Sequence, residues 1–136
     1  MSKIQIPSEN QEQRALVKWL SMHPVLKDYY LKNNNEGKRT EAQGWNLKLM
    51  GLRSGVSDLF IAYPTNRYHG LWLEVKRNII YSPSQKKNDT WIAQQEWIDR
   101  MNDIGYFATF CFGWEDGKRI VEEYFGDCFG DEILSC

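Results

Sequence analysis

The 136-residue sequence is poor in cysteine and histidine and has no long apolar run, and each scarcity excludes a class of protein. Its three cysteines are odd in number and show no C-x-x-C spacing, so neither a disulfide framework nor a thiolate zinc site is indicated. No stretch of eighteen apolar residues is present to span a membrane, and the N-terminal residues lack the apolar segment of a signal peptide. We therefore expect a soluble cytoplasmic protein with reduced cysteines and no membrane partner.

The composition is that of a chain that folds. Hydrophobic residues make up 42% of the sequence and aromatic residues 14%, with six tryptophans, which argues against disorder. Neither an internal repeat nor a linker divides the chain, and its length suits one core. We expect a single domain over residues 1–136.

Charge is unevenly distributed along the chain. Residues 1–88 carry 14 Lys or Arg against 7 Asp or Glu, a net +7, whereas residues 89–136 carry 3 against 11, a net -8. A basic face for a phosphate backbone can therefore coexist with a total charge of -1. Surface charges distributed this way without any function explain the pattern equally well.

Apolar periodicity and turn residues predict eight elements in the order α-β-α-β-β-α-β-α. The predicted helices are 8–23, 40–50, 90–103 and 115–125, and the predicted strands are 28–32, 58–63, 71–76 and 106–112. Strands 58–63 and 71–76 should form an antiparallel hairpin. The fold class is then α/β or α+β, with a four-stranded mixed sheet and helices on both of its faces. The final ten residues are not assigned.

Two acids and a lysine should meet at one end of this hairpin. Side chains alternate across a strand, so Glu74 and Lys76 share a face, and Asp58 starts the partner strand. Two close carboxylates repel each other unless a cation lies between them, and Mg²⁺ is commonly bound by one or two carboxylates together with water and phosphate. The three residues therefore suit metal-assisted hydrolysis of a phosphodiester.

The triad alone does not establish this chemistry. Glu-x-Lys on a strand is a common solvated pair, and an Asp after a turn is a common first residue of a strand. Gly55, just before Asp58, favours the functional interpretation because glycine permits a tight turn that aims a carboxylate and admits a phosphate.

Several spaced motifs resemble the virus-type replication-repair nuclease (VRR-NUC) domain, a branch of the PD-(D/E)XK superfamily. They span roughly residues 8 to 125 and comprise Ser8-Glu9-x-x-x-Gln13 with Trp19-Leu20, Asn35-Glu36-Gly37-x-Arg39, Gly51-x-x-x-Gly55-x-x-Asp58-Leu-Phe, Gly70-Leu-x-Leu-Glu74-Val-Lys76, and Gln94-x-x-Trp97 before Gly105-Tyr106. Ser57 departs from the proline that usually precedes the acid. The resemblance implies a restriction-endonuclease-like core.

The resemblance also implies roles for individual residues. Asp58, Glu74 and the backbone carbonyl of Val75 would bind Mg²⁺ or Mn²⁺, and Lys76 would be the catalytic lysine. Gln94 would position the lysine or a water.

Two acids compete for the supplementary position on the first helix. Glu9 would be the acid that supplements the metal site, and its spacing to Gln13 favours it over Glu12, which remains the alternative.

Basic residues near these motifs are candidates for contacts with DNA: Arg39, Lys48, Arg53, Arg77, Lys86 and Lys87. A solvated loop is an almost equally good explanation for Lys86 and Lys87. Trp45 and Tyr68 are candidates to stack on unpaired bases or to fill a dimer interface, but core burial is the commoner fate of such residues and is the one we expect.

Stand-alone domains of this family, from phages and bacteria, are similar to homodimeric four-way junction resolvases. The resemblance thus implies a homodimer that cuts Holliday junctions in a bacterial or phage-infected cytoplasm, without a small-molecule cofactor. A two-fold dimer suits a junction because the junction has two symmetric scissile strands. A flap or nicking nuclease, and an inactive nuclease fold that only binds nucleic acid, are the alternatives.

Overall fold

The computed structural model describes residues 5–33 and 40–131, with side chains up to residue 126. Four α-helices and four β-strands alternate in the predicted order. The helices are α1 (Glu9–Ser21), α2 (Glu41–Leu49), α3 (Asp89–Asp103) and α4 (Trp114–Asp131), and the strands are β1 (Tyr30–Lys32), β2 (Leu59–Ile61), β3 (Leu71–Lys76) and β4 (Phe107–Phe112). The Asn35–Arg39 motif lies outside the described residues.

Side-chain caps set the start of three helices. Ser8 and Gln11 form a capping box at α1, and Thr40 with Gln43 forms a second one at α2. The side chain of Asn88 accepts a hydrogen bond from the third residue of α3, so this helix begins one residue earlier than predicted.

The strands form one mixed sheet in the order β1-β2-β3-β4. β2 pairs antiparallel with β1 and with β3, which confirms the predicted hairpin, and β4 runs parallel to β3 after the crossover through α3. β3 therefore lies inside the sheet with a neighbour on each side. The α/β architecture expected from the sequence is confirmed.

Helices cover both faces of the sheet. α1 and α4 contact each other and β3 on one face, whereas α3 contacts β3 and β4 on the other. The apolar core lies under α1 and α4 and includes the fully buried Leu16 and Leu20 of α1 with Leu71, Leu73 and Val75 of β3. The opposite side chains of β3, which include Glu74 and Lys76, face α3.

The bounds of several elements differ from the prediction. β1 begins at Tyr30 because Leu26–Asp28 forms a 3-10 turn instead of a strand. α4 continues to Asp131, beyond residue 125, where the predicted helix ends. β2 covers only Leu59–Ile61, so it is shorter than the predicted strand 58–63.

Among the described residues, no helix combines the length and the apolar character needed to cross a membrane.

Candidate active site

The sheet register brings the two predicted acids together. Leu59 of β2 lies opposite Leu73 of β3 in the antiparallel pair. Asp58 precedes Leu59 and Glu74 follows Leu73, so the same register brings Asp58 opposite Glu74. The backbone N–H of Val75 donates a hydrogen bond to Oδ2 of Asp58, with a donor–acceptor distance of 3.0 Å. This bond fixes the Asp58 carboxylate against β3 beyond the point where β2 begins.

Both carboxyl groups are almost fully enclosed, Asp58 at 6% and Glu74 at 2% exposure. Burial is the largest cause that raises the pKa of Glu74, followed by its hydrogen bond to Asp58 and the repulsion of that carboxylate; the cation of Lys76 opposes these effects. The raised pKa of Glu74 means that the pair retains a proton at neutral pH. Close carboxylates of this kind are among the ligands that divalent ions take in proteins.

The ammonium group of Lys76 is held by two groups of α3. Its Nζ donates to Oε1 of Gln94 at 2.7 Å and lies 4.8 Å from the centroid of the Trp91 ring, close enough for a cation–π interaction. Phe110 of β4 presents a second ring at 5.8 Å. Lys76 is 6% exposed, so these contacts, and not bulk water, set the position of its ammonium group.

A cleft of about 340 Å³ opens at this end of the sheet. Its lining contains the two acids and Gln94 together with the following residues: Glu9, Ser54, Gly55, Val56 and Thr90. Gly55 adopts a positive φ of 87°, and a Cβ at this position would lie 2.6 Å from the backbone oxygen of Ala93 in α3. Only glycine permits this close approach, which closes the side of the cleft next to Asp58.

The two candidate acids of α1 occupy different surroundings. Glu9 lines the cleft and its charge acts on Glu74. Glu12 is 5% exposed and accepts a hydrogen bond, at 3.3 Å, from the backbone N–H of Trp114 at the first turn of α4. A carboxylate at a helix N-terminus is stabilised by the unpaired N–H groups there. The geometry therefore favours Glu9 as the supplementary acid and gives Glu12 a structural contact.

The backbone carbonyl of Val75 points to the side of β3 on which Asp58 lies. The carbonyl of Lys76 accepts from Gly113, beyond the end of β4, so it faces the β4 side. Successive carbonyls alternate along a strand, and the N–H of Val75 already points to Asp58. The three predicted metal donors thus share one edge of β3.

This donor set fits Mg²⁺ or Mn²⁺. Within the described residues no three Asp, Glu, His or Cys side chains are close enough to bind one ion. Mg²⁺ needs fewer protein ligands, since it keeps several waters and commonly binds through one or two carboxylates and a substrate phosphate. The oxygens of Asp58, Glu74 and Val75, with Glu9 across the cleft, match that preference, whereas a zinc site would need more nitrogen or sulfur donors.

The predicted DNA-contact residues lie in several places. Lys48 and Arg53 line a groove next to the cleft, and Lys86 and Lys87 are exposed on the 3-10 turn that precedes α3. The guanidinium group of Arg77 donates to the backbone carbonyls of residues 6 and 7, so it fixes the segment before α1. Arg39 is outside the described residues.

Sequence reasoning identified Gln94 but missed a second contact of the lysine and one residue of the basic surface. Trp91 was not considered as a contact of Lys76, although its position three residues before Gln94 places both on one helix face. Arg100, nine residues after Trp91 on α3, was not considered and lines the same groove as Lys48. Its spacing along a predicted helix was the available signal.

The two aromatic candidates differ in their exposure. Trp45 is 66% exposed, so the expectation of core burial is wrong for it, and no other residue of α2 is buried either. Tyr68 packs against the core with its ring at 5.1 Å from that of Phe107, as expected.

A larger cavity of about 590 Å³ lies at the outer edge of β4. Its lining contains two basic and two acidic residues, Arg67 and Arg119 with Asp116 and Glu123, and Arg119 pairs with both acids. The adjacent strand edge is also covered, because the side-chain amide of Asn102 bonds both the N–H and the C=O of Ala108. The cavity therefore lacks the concentrated charge of the cleft.

The structure is similar to a solved VRR_NUC domain protein, with a TM-score of 0.71 and 23% sequence identity over 90% of this chain and 92% of that one. At this identity the likeness shows a shared fold, and it is the fold that the sequence motifs implied. The chain matches no model of a known protein family and no curated protein sequence.

Proposed function

We propose that this chain, which has the fold of a VRR-NUC domain, is a metal-dependent nuclease that hydrolyses phosphodiester bonds in DNA. The observation that carries the proposal is the buried pair of Asp58 and Glu74 at the floor of an open cleft, with the ammonium group of Lys76 on the same face of β3. Burial of two hydrogen-bonded acids destabilises a fold unless they bind a cation, so their placement is best explained by function.

Asp58, Glu74 and the Val75 carbonyl would hold Mg²⁺ or Mn²⁺, with Glu9 acting from across the cleft. A bound divalent ion supplies Lewis-acid activation of water and stabilises charge on the phosphate and the leaving oxygen. The N–H of Val75 keeps the Asp58 carboxylate in one orientation, which preorganises the donor set.

Lys76 stabilises the negative charge that develops on the phosphate during hydrolysis. Its ammonium group carries three donors, of which one is engaged by Gln94 at 2.7 Å. In this proposal the remaining donors act on a phosphate oxygen or on the attacking water. Because Trp91 and Gln94 both belong to α3, this helix positions the cation before substrate binds, so that little reorganisation is needed during the reaction.

The preferred substrate in this proposal is a four-way junction, cut by a homodimer. The spaced motifs from Ser8 to Trp97 support it through their resemblance to stand-alone junction resolvases. Symmetry supports it as well, because a two-fold dimer presents two clefts to the two symmetric scissile strands. Monomeric flap or nicking activity is the second candidate.

The direct test is cleavage of a labelled four-way junction by the wild-type chain with Mg²⁺, with Mn²⁺ and with EDTA. Asp58→Asn should abolish cleavage while binding survives, because the substitution removes a ligand charge but keeps the side-chain shape. Asp28→Asn is the matched control, since Asp28 is exposed and lies away from the cleft. Binding of junctions by the wild type without cleavage under any divalent ion would instead identify an inactive binding module.

A substrate panel separates the finer alternatives. Junction, flap, nicked and linear duplexes of matched length should rank with the junction first, and sedimentation should give a dimer. A monomer that cuts flaps faster than junctions would overturn the resolvase part of the proposal and leave the nuclease part standing.

A further inference from the structure

Helix α2 exposes large apolar side chains that packing does not explain. All nine of its residues are described, and none of them is buried. Trp45 is 66% exposed, Leu49 is 70% exposed, and Met50 at the helix end is 75% exposed. An amphipathic surface helix normally buries one face, so this helix has a surface left for a partner.

A basic groove of about 330 Å³ runs between the end of α2 and the middle of α3. Lys48 and Arg53 line one wall, and Arg100 and Glu96 line the other. Arg100 and Glu96 are paired on the surface at 3.7 Å, which leaves the charge of the groove positive. The groove is thus complementary to an anionic polymer and not to the like-charged α2 end of a second copy.

The groove continues into the candidate active site. Ser54 lines both the groove and the cleft that contains Asp58 and Glu74. On α3, Gln94 lines the cleft and the adjacent Ala93 lines the groove. A strand with its scissile phosphate at the acids would therefore pass its next phosphates to the basic side chains.

The groove and the exposed ring beside it suit an unpaired strand. With a volume of about 330 Å³ and a basic lining, the groove has room for one sugar-phosphate backbone. Trp45 lies one helical turn before Lys48 on the same side of α2, so a base attached to a phosphate near Lys48 can reach the exposed indole. Stacking on an aromatic ring is a general way to bind unpaired bases.

We propose that α2 and the adjoining groove bind an unpaired DNA strand beside the scissile bond, with phosphates on Lys48, Arg53 and Arg100 and a base stacked on Trp45. The inference rests on the proposed nuclease function, and it adds a reason for preference towards branched or frayed DNA. Such substrates supply an unpaired strand at the cleft, whereas an intact linear duplex does not.

The test is equilibrium binding in EDTA, where no cleavage occurs, of a duplex with a single-stranded arm and of a blunt duplex of equal length. Trp45→Ala should weaken binding of the armed duplex roughly 5- to 150-fold, the range for loss of one stacked base, with a much smaller effect on the blunt duplex. Trp45→Phe should restore most of the loss because it keeps an aromatic face. Lys48→Ala and Arg100→Ala should each lower the salt dependence of armed-duplex binding by about one ion.

Controls separate this surface from general effects. Lys27→Ala removes an exposed lysine on another part of the surface and should leave both affinities unchanged. Circular dichroism checks folding, which the exposed position of Trp45 should preserve. A base analogue, 2-aminopurine, placed in the arm should lose fluorescence on binding to the wild type but not to Trp45→Ala.

Two outcomes would overturn the inference. The first is equal loss of affinity for armed and blunt duplexes in Trp45→Ala. The second is that sedimentation shows a dimeric wild type and a monomeric Trp45→Ala variant, while the affinity per chain for the armed duplex is unchanged. That result would make α2 a contact between copies. Failure of the proposed function is a different result: the wild type would cut no DNA with any divalent ion, although binding of the armed duplex would still depend on Trp45.

Discussion

Glu74→Gln should stabilise the metal-free protein while abolishing metal binding. Glu74 is 2% exposed and hydrogen-bonded to Asp58, and both burial and that neighbour raise its pKa. In the unfolded chain Glu74 ionises near pH 4.3, so a folded state that keeps its proton at pH 7 loses about 4 kcal/mol of stability. Full ionisation costs a similar amount, since two charges about 4 Å apart repel by about 4 kcal/mol at an effective dielectric constant of 20.

The sign of the pH dependence follows from this raised pKa. Between the unfolded pKa and the raised folded pKa, the native protein binds more protons than the unfolded chain, so its stability falls as pH rises. Glutamine keeps the hydrogen bond to Asp58 and has no proton to lose. The variant should therefore match the wild type near pH 4.5 and exceed it by about 2 to 4 kcal/mol at pH 8 in EDTA.

Urea unfolding of both proteins at the two pH values, with and without Mg²⁺, measures this effect. Excess Mg²⁺ should stabilise the wild type and leave Glu74→Gln unchanged, because a ligand that binds the native state shifts unfolding by mass action. A difference between the two proteins that does not change with pH, or a less stable variant at pH 8, would refute the electrostatic reasoning.

Further predictions concern the neighbours of the acids. Lys76→Ala should lower kcat about 10²- to 10³-fold with Mn²⁺ affinity retained, as for loss of one charge-stabilising donor, and single-turnover kinetics checks this. Gln94→Ala should lower kcat by roughly 10- to 100-fold. Trp91→Leu should lower kcat with little change in KM, and Trp91→Phe should recover kcat because it keeps an aromatic ring. Equal losses in both Trp91 variants would contradict a positioning role. Gly55→Ala should destabilise the fold by about 2 kcal/mol or more in urea unfolding because of its positive φ and its contact with α3. Ser57→Ala should raise stability by about 1 kcal/mol, since the buried hydroxyl has no hydrogen-bond partner in the described part of the chain, and a lower urea midpoint would show that the hydroxyl is satisfied.

Element order and strand pairing could be predicted because local signals agree with the tertiary structure. The capping residues Ser8 and Thr40 and the apolar stripe of α1 act within a few residues, and they correctly set helix starts. The end of α4 could not be predicted, since the helix continues through Gly126, a residue that usually ends one.

The proximity of Asp58 and Glu74 was predictable from period-two alternation and a hairpin register, both local properties. The contact of Lys76 with the ring of Trp91 was not, because it depends on how α3 crosses the sheet. The exposure of Trp45 depends likewise on the tertiary surroundings of α2, none of whose residues is buried, and no local pattern reveals this.

Titration calorimetry with Mn²⁺ tests the central claim most directly. The wild-type chain should bind the ion at the pair of acids and release a proton as it binds, with affinity that rises with pH. Asp58→Asn and Glu74→Gln should each abolish this binding, while Asp28→Asn should bind as the wild type does. Binding of equal strength in all four proteins would contradict a divalent-ion site at Asp58 and Glu74.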